Sequence, residues 1–210
     1  MSLPAKLGLG FAGVAGASGA GYLGSKLIKG ESKETFRTKY SKAIIDTTKD
    51  SDTWSKKLTA LADTNSSPKN SKLVQAKQAK TTNSGSNDTS LLRQGCEEIY
   101  SKEIGNDHDL QDFKNFCSFN NEDKIASGKE LIKSKEDFSS HWDSFKGSNK
   151  ESLYGGFKQV FEQKGNNATD NDWQQKMWDE CKKIASDIFF EEIPNFTSFC
   201  TKATAQAGAG

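Results

Sequence analysis

The sequence predicts an all-α chain: an N-terminal membrane or signal helix, followed by a helical ectodomain built from two tandem homologous modules. Three observations lead there. Apolar residues recur at helical spacing and no long run alternates apolar with polar. One cysteine pattern is written twice. The first thirty residues form a Gly/Ala-rich stretch unlike the rest of the chain.

The helical stripes are read as follows. Leu92, Cys96, Ile99 and Tyr100 share one face, as do Leu153, Phe157, Val160 and Phe161. Trp173, Met177, Cys181, Ile184 and Ile188 form a wider stripe, joined by Trp178, Ala185 and Phe189. Pro194 marks a break before a last short helix carrying Phe199 and Cys200. Aromatic residues at this spacing are read as core.

The duplication rests on order. Cys96-Glu-Glu-Ile99 is followed by Phe113-Lys-Asn-Phe116-Cys117, and Cys181-Lys-Lys-Ile184 by Phe196-Thr-Ser-Phe199-Cys200. A tryptophan helix precedes each, at Trp54 and at Trp142. Module 1 is placed at 31–120 and module 2 at 121–202, followed by a disordered tail at 203–210. Within module 1, residues 64–87 are rich in Ser, Asn, Thr and Lys and read as a polar loop or weak helix, with Leu73 and Val74 as their few apolar side chains.

Composition sets the stakes for the cysteines. Only 33% of residues are hydrophobic, and the core is carried by 13 Phe, 4 Trp and 4 Tyr. A thin core of that kind gains from a covalent staple. Each module owns two of the 4 cysteines. In an exported chain this favours disulfides, most simply Cys96–Cys117 and Cys181–Cys200, although four cysteines allow three pairings and buried free thiols are the alternative. Spacing of this kind lacks the C-x-x-C pairs of a zinc site.

From Leu7 to Ser25 there is no charged side chain, about the ~20 residues a helix needs to cross a bilayer. Within 1–30, Ala12/Gly16, Ala15/Gly19 and Ala20/Gly24, with Gly13, give the small-xxx-small spacing that lets membrane helices pack closely. An uncleaved anchor is expected, contacting lipid through residues 7–25 and offering a route to a homo-oligomer. A cleaved signal, and so a secreted protein, is the alternative, as is a soluble Gly-rich arm. Lys26, Lys29, Lys33, Arg37 and Lys39 would hold the following part in the cytoplasm. The cysteines point outward, and the expectation follows them: a single-pass protein of the cell membrane, with its C-terminal part outside.

Several functions are set aside. The 29 basic residues balance 28 acidic ones, and only Arg37 and Arg93 are arginine, so no nucleic-acid face is expected. Gly8–Gly13 and Gly19–Gly24 fit G-x-G-x-x-G, but no strand precedes either. His108 and His141 occupy non-equivalent places, and a pairing of either with Cys117 as nucleophile is disfavoured. No catalytic, cofactor-binding or metal residues are assigned, and no enzyme is expected.

The chain resembles the large families of short paralogous proteins of haemotropic mycoplasmas. The likeness lies in the Gly/Ala-rich N-terminal segment, Glu34-Thr-Phe-Arg-Thr-Lys-Tyr40, Cys96-Glu-Glu-Ile-Tyr100, Phe113-Lys-Asn-Phe-Cys117 and Phe199-Cys-Thr-Lys202. It implies a surface protein that varies against a host, partnered by host surface or another protein. An envelope hydrolase or partner subunit, and a cytosol-facing membrane scaffold, are the competing expectations.

Overall fold

The computed structural model describes residues 33–169 and 171–204. Among these the fold is all-α, with two three-residue strands besides the helices. The segment 1–30, with Gly13, Gly16, Gly19, Gly24, Ala12, Ala15 and Ala20, lies outside the described residues, as does 205–210.

The chain begins with a short helix α1 (Phe36–Lys39), whose Phe36 is fully buried. Helix α2 (Ser51–Ala62) sends Trp54, Leu58 and Leu61 inward at i, i+4 and i+7. The Trp54 indole N–H donates to the Asp46 carbonyl at 2.9 Å, so the ring is buried without an orphaned donor.

The stretch read as polar loop or weak helix contains a regular helix, α3 (Ser71–Thr82). Its apolar stripe is narrow: Leu73 and Ala76 are buried, while Val74 faces solvent. Local bonding makes up the difference. The Asn70 side chain accepts from the N–H groups of Lys72 at 2.8 Å and Leu73 at 3.3 Å, capping donors a helix start leaves open. The buried carboxylate of Asp112 in turn accepts from the N–H groups of Lys69 at 2.8 Å and Asn70 at 2.7 Å, holding the cap in place.

Helix α4 (Ser90–Tyr100) buries Leu92, Cys96, Ile99 and Tyr100, the expected stripe. It touches α3 at Gly95, where an added Cβ would lie 2.9 Å from the Leu73 side chain and 3.0 Å from the Asn70 amide oxygen. Gly95→Ala is therefore expected to destabilise the fold despite alanine's better helix propensity. Overpacking costs about 1–3 kcal/mol against a propensity gain of at most ~1 kcal/mol. A lower urea midpoint checks this.

Helix α5 (Asp107–Asp112), capped by Asn106, widens into one π-type turn, Phe113–Cys117. That turn places Phe113, Phe116 and Cys117 inward. Ser118 then pairs antiparallel with Ile44, and the Phe119 N–H donates to the Ala43 carbonyl at 2.8 Å.

The remainder opens with β1 (Lys129–Leu131), antiparallel to β2 (Thr201–Ala203), with Leu131 opposite Thr201 and Lys129 opposite Ala203. Ala203, expected in a disordered tail, is thus a paired strand residue. A 3-10 turn, Lys135–His141, leads into α6 (Trp142–Lys146). Then come α7 (Gly155–Glu162), α8 (Asn171–Ala185) and α9 (Phe196–Cys200). Helix α8 stops at Ala185, so Ile188 and Phe189 do not extend its stripe. They leave in an extended segment, and Ile188 pairs with Asn120.

The buried side chains fall into two clusters that follow chain order. One runs from Phe36 to Phe119. The other runs from Ile132 to Cys200. Ile188 and Phe189 cross over, packing against the first cluster.

Candidate functional site

All four proposed disulfide residues are bonded, and in the simplest pairing. Cys96 on α4 joins Cys117 at the end of the π turn, with Cα atoms 5.1 Å apart. Cys181 on α8 joins Cys200 on α9, with Cα atoms 5.4 Å apart. Both distances lie in the usual range for an unforced bridge. Each bond stays within one core cluster and ties that cluster's cysteine helix to the Phe-x-x-Phe-Cys turn packed on it. The Tyr100 hydroxyl donates to the Cys117 carbonyl, and burial pushes its phenol well above the ordinary range. The Cys117 sulfur is committed to Cys96, so no Cys–His nucleophile exists.

The histidines sit apart from one another in the fold. His108 is exposed on α5. His141 lies against Phe138, and burial pulls its imidazole pKa down. Among the described residues no group of three or more His, Cys, Asp or Glu side chains could hold a metal ion. No described helix is long and apolar enough to cross a membrane.

The most elaborate polar site is one the sequence reading missed. Residues Phe119–Asp123 join the two cores through a buried hydrogen-bond network. Lys57 of α2 is 5% exposed, and its ammonium lies 2.9 Å from the Asp123 carboxylate and donates to the Asn120 amide oxygen. The Asn120 amide N–H2 donates to the carbonyls of Lys114 at 3.1 Å and Ser186 at 2.9 Å. The Asn121 side chain donates to the Ile184 carbonyl at 2.8 Å, and its backbone N–H to that of Asp187 at 3.1 Å. A helix C-terminus leaves carbonyls without partners. Here Asn121 supplies a donor to the Ile184 carbonyl of α8, and Asn120 and Asn121 bond the Ser186 and Asp187 carbonyls just beyond its end. The Phe189 N–H donates to the Phe119 carbonyl at 2.9 Å, and the Lys114 ammonium meets Asp187 at 2.6 Å.

An open groove of about 470 Å³ runs beside this joint, lined by Lys56, Lys57, Lys114, Asn120, Glu122 and Asp123. Polar groups converge in it, but Lys57, Asn120 and Asp123 spend their hydrogen bonds on one another and on the end of α8. Glu122 differs. Partial burial, then the neighbouring Asp123 charge, raise its carboxyl pKa, opposed by Lys57 and Lys56. Raising a carboxyl pKa on folding means the native state favours the protonated form, so stability falls as pH rises through the shifted value. Glu122→Gln should therefore raise the melting temperature at neutral pH, and the gain should vanish in acid below the usual glutamate pKa. Thermal melts across that range check the sign.

Comparison of the chain with protein-family models, curated proteins and solved structures gives no significant match.

Proposed function

We propose that this chain is a membrane-anchored surface protein whose two disulfide-closed helical modules, copies of one ancestral unit, serve binding or antigenic display and not catalysis. The observation that carries the reading is the closure of both cysteine pairs, each inside its own core. Disulfides of this buried kind form and persist in oxidising compartments. That favours the outward orientation over the one the lysines after residue 25 would give.

The duplication gains support from parallels that the cysteine motif alone does not require. In each half the residue after the second cysteine, Ser118 or Thr201, pairs antiparallel with an apolar residue, Ile44 or Leu131. A buried isoleucine follows, Ile45 or Ile132, and then the tryptophan helix. The polar joint is absent from that pattern, as expected for the place where two copies were fused.

The likeness to paralogous surface proteins of haemotropic mycoplasmas points the same way and gives the display role its context. Within this groove a catalytic reading would turn to Glu122 and Lys56, since the neighbouring groups are committed to the joint. Under that reading Glu122→Gln abolishes an activity; under ours it only stabilises.

The test is labelling of intact cells with a membrane-impermeant amine reagent. Lys49 and Lys133, with side chains 79% and 75% exposed, should react without lysis. Reaction only after lysis would place the modules inside and refute the reading.

A further inference from the structure

Three side chains meeting at the joint hold the groups an amide-forming reaction needs. Lys57 carries an amine, Asn120 a carboxamide and Asp123 an acid–base group. The Lys57 and Asp123 side chains are 6% and 7% exposed, and Asn120 is buried with them. The Lys57 nitrogen donates to the Asn120 amide oxygen. It therefore lies at most one C=O bond, about 1.23 Å, further from the carboxamide carbon. Holding amine and carbonyl carbon this close makes their reaction a step within one molecule, with the cost of encounter already met by folding.

The other bonds of the network orient these groups. The Asn120 N–H2 donates to the carbonyls of Lys114 at 3.1 Å and Ser186 at 2.9 Å, which fixes the amide plane with its oxygen toward the lysine. Asp123 meets the Lys57 nitrogen at 2.9 Å and is itself held by the Asn120 backbone N–H at 2.9 Å. A buried ion pair alone would need only the lysine and the carboxylate. The clamped carboxamide between them is the additional feature. Burial keeps out water that would compete as nucleophile, and the groove of about 470 Å³ that all three residues line gives a small product its exit.

We infer that the folded chain joins Lys57 to Asn120 through a side-chain amide bond, releasing ammonia, with Asp123 as the catalytic residue. The ion-paired network is the state before closure. One proton passes from the Lys57 ammonium to Asp123, leaving an amine and a carboxylic acid. The amine lone pair forms a bond to Cγ of Asn120, and the C=O π pair moves onto oxygen. Asp123 relays a proton from the attacking nitrogen to the amide nitrogen. The C=O bond re-forms as the old C–N bond breaks, and ammonia departs with that electron pair. It takes up the proton Asp123 still holds and leaves as ammonium, so Asp123 ends as a carboxylate. No oxidant, reductant or further reactant enters. The reaction happens once per chain and confers no activity toward other molecules, so it is independent of the anchor and of the display role. The bond ties α2 to the joint across a sequence separation of 63, against 21 and 19 for the disulfides, and unlike them it withstands reduction.

The test is tryptic mapping of the full chain after its disulfides are mapped and then reduced. Acylated Lys57 resists trypsin. The expected product is therefore a branched peptide joining 57–69 to 115–124, lighter than its two parts by one ammonia, with fragmentation placing the link at Asn120. Recovery of the two segments unjoined, from protein with both disulfides closed, overturns the proposal. So does a link to Asp123 with loss of water. Asp123→Asn keeps the shape of the side chain and removes its acid–base function. Among molecules with both disulfides closed it should cut the yield of branched peptide at least about tenfold. A wild-type yield from Asp123→Asn overturns the chemistry assigned to Asp123.

Discussion

Asp123→Ala should lower stability by about 3–5 kcal/mol, the loss expected when one partner of a buried ion pair is removed and the other is left charged. The Lys57 and Asp123 side chains are 6% and 7% exposed. Asp123 also accepts from the Asn120 N–H at 2.9 Å, so its removal loosens the asparagine that holds the end of α8. The effect should therefore spread: the two cores, joined through this network, should unfold in separate steps where the wild type unfolds in one. The comparison is Asp46→Ala, which opens a pair whose lysine is 79% exposed. Breaking that exposed, solvent-screened ion pair should cost little beside it, apart from the turn bonds Asp46 makes to Thr48. Replacing Lys57 by Met together with Asp123 by Leu removes the stranded charge and should recover part of the loss. Urea titration followed by fluorescence of the tryptophans reads all four proteins. A loss for Asp123→Ala within ~1 kcal/mol would mean that the joint is incidental.

The second large effect is expected at the disulfides. Cys181→Ala with Cys200→Ala opens a loop of sequence separation 19, and Cys96→Ala with Cys117→Ala one of 21. Closing a loop of this size is worth about 3 kcal/mol in the chain-entropy description. The two losses should be additive, since the bridges share no side chains and lie in different clusters. They should also be local. Hydrogen exchange in the Cys181/Cys200 variant should rise across 132–200, leaving protection in α2 and α4 closer to wild type. Uniform loss of protection from either pair would contradict a local effect.

Much of this architecture was legible from particular residues. Strong stripes such as Leu92–Cys96–Ile99 and Trp173–Met177–Cys181 declared α4 and α8, because wide apolar faces are what burial selects. The repeated Phe-x-x-Phe-Cys favoured the simplest pairing of the cysteines, which is the one that forms, although the sequence left three pairings and free thiols open. Helix α3 was ambiguous because it buries only Leu73 and Ala76 in its own length, and its stability comes from a cap held by Asp112, distant in sequence. The end of α8 was misplaced for a related reason. Ile188 and Phe189 continue its periodicity by chance but belong to the other core, and Asn120 and Asn121 terminate the helix from outside. Strands three residues long carry no alternation to detect, so β1 and β2 were missed. The joint was hidden most thoroughly: Lys57 is one lysine in a lysine-rich chain, and Asn120-Asn-Glu-Asp123 reads as a polar linker. Two adjacent asparagines, beginning three residues after Cys117 of the first Phe-x-x-Phe-Cys turn, were the available clue.

The most direct measurement is disulfide mapping on protein taken from the cells that make it, with thiols blocked at lysis and peptides separated without reduction. The expected result is two cross-linked species, Cys96 with Cys117 and Cys181 with Cys200, and no blocked cysteine. Recovery of all four cysteines carrying the blocking group would show that the chain lives in a reducing space, and the outward-facing, self-stapled picture would be wrong.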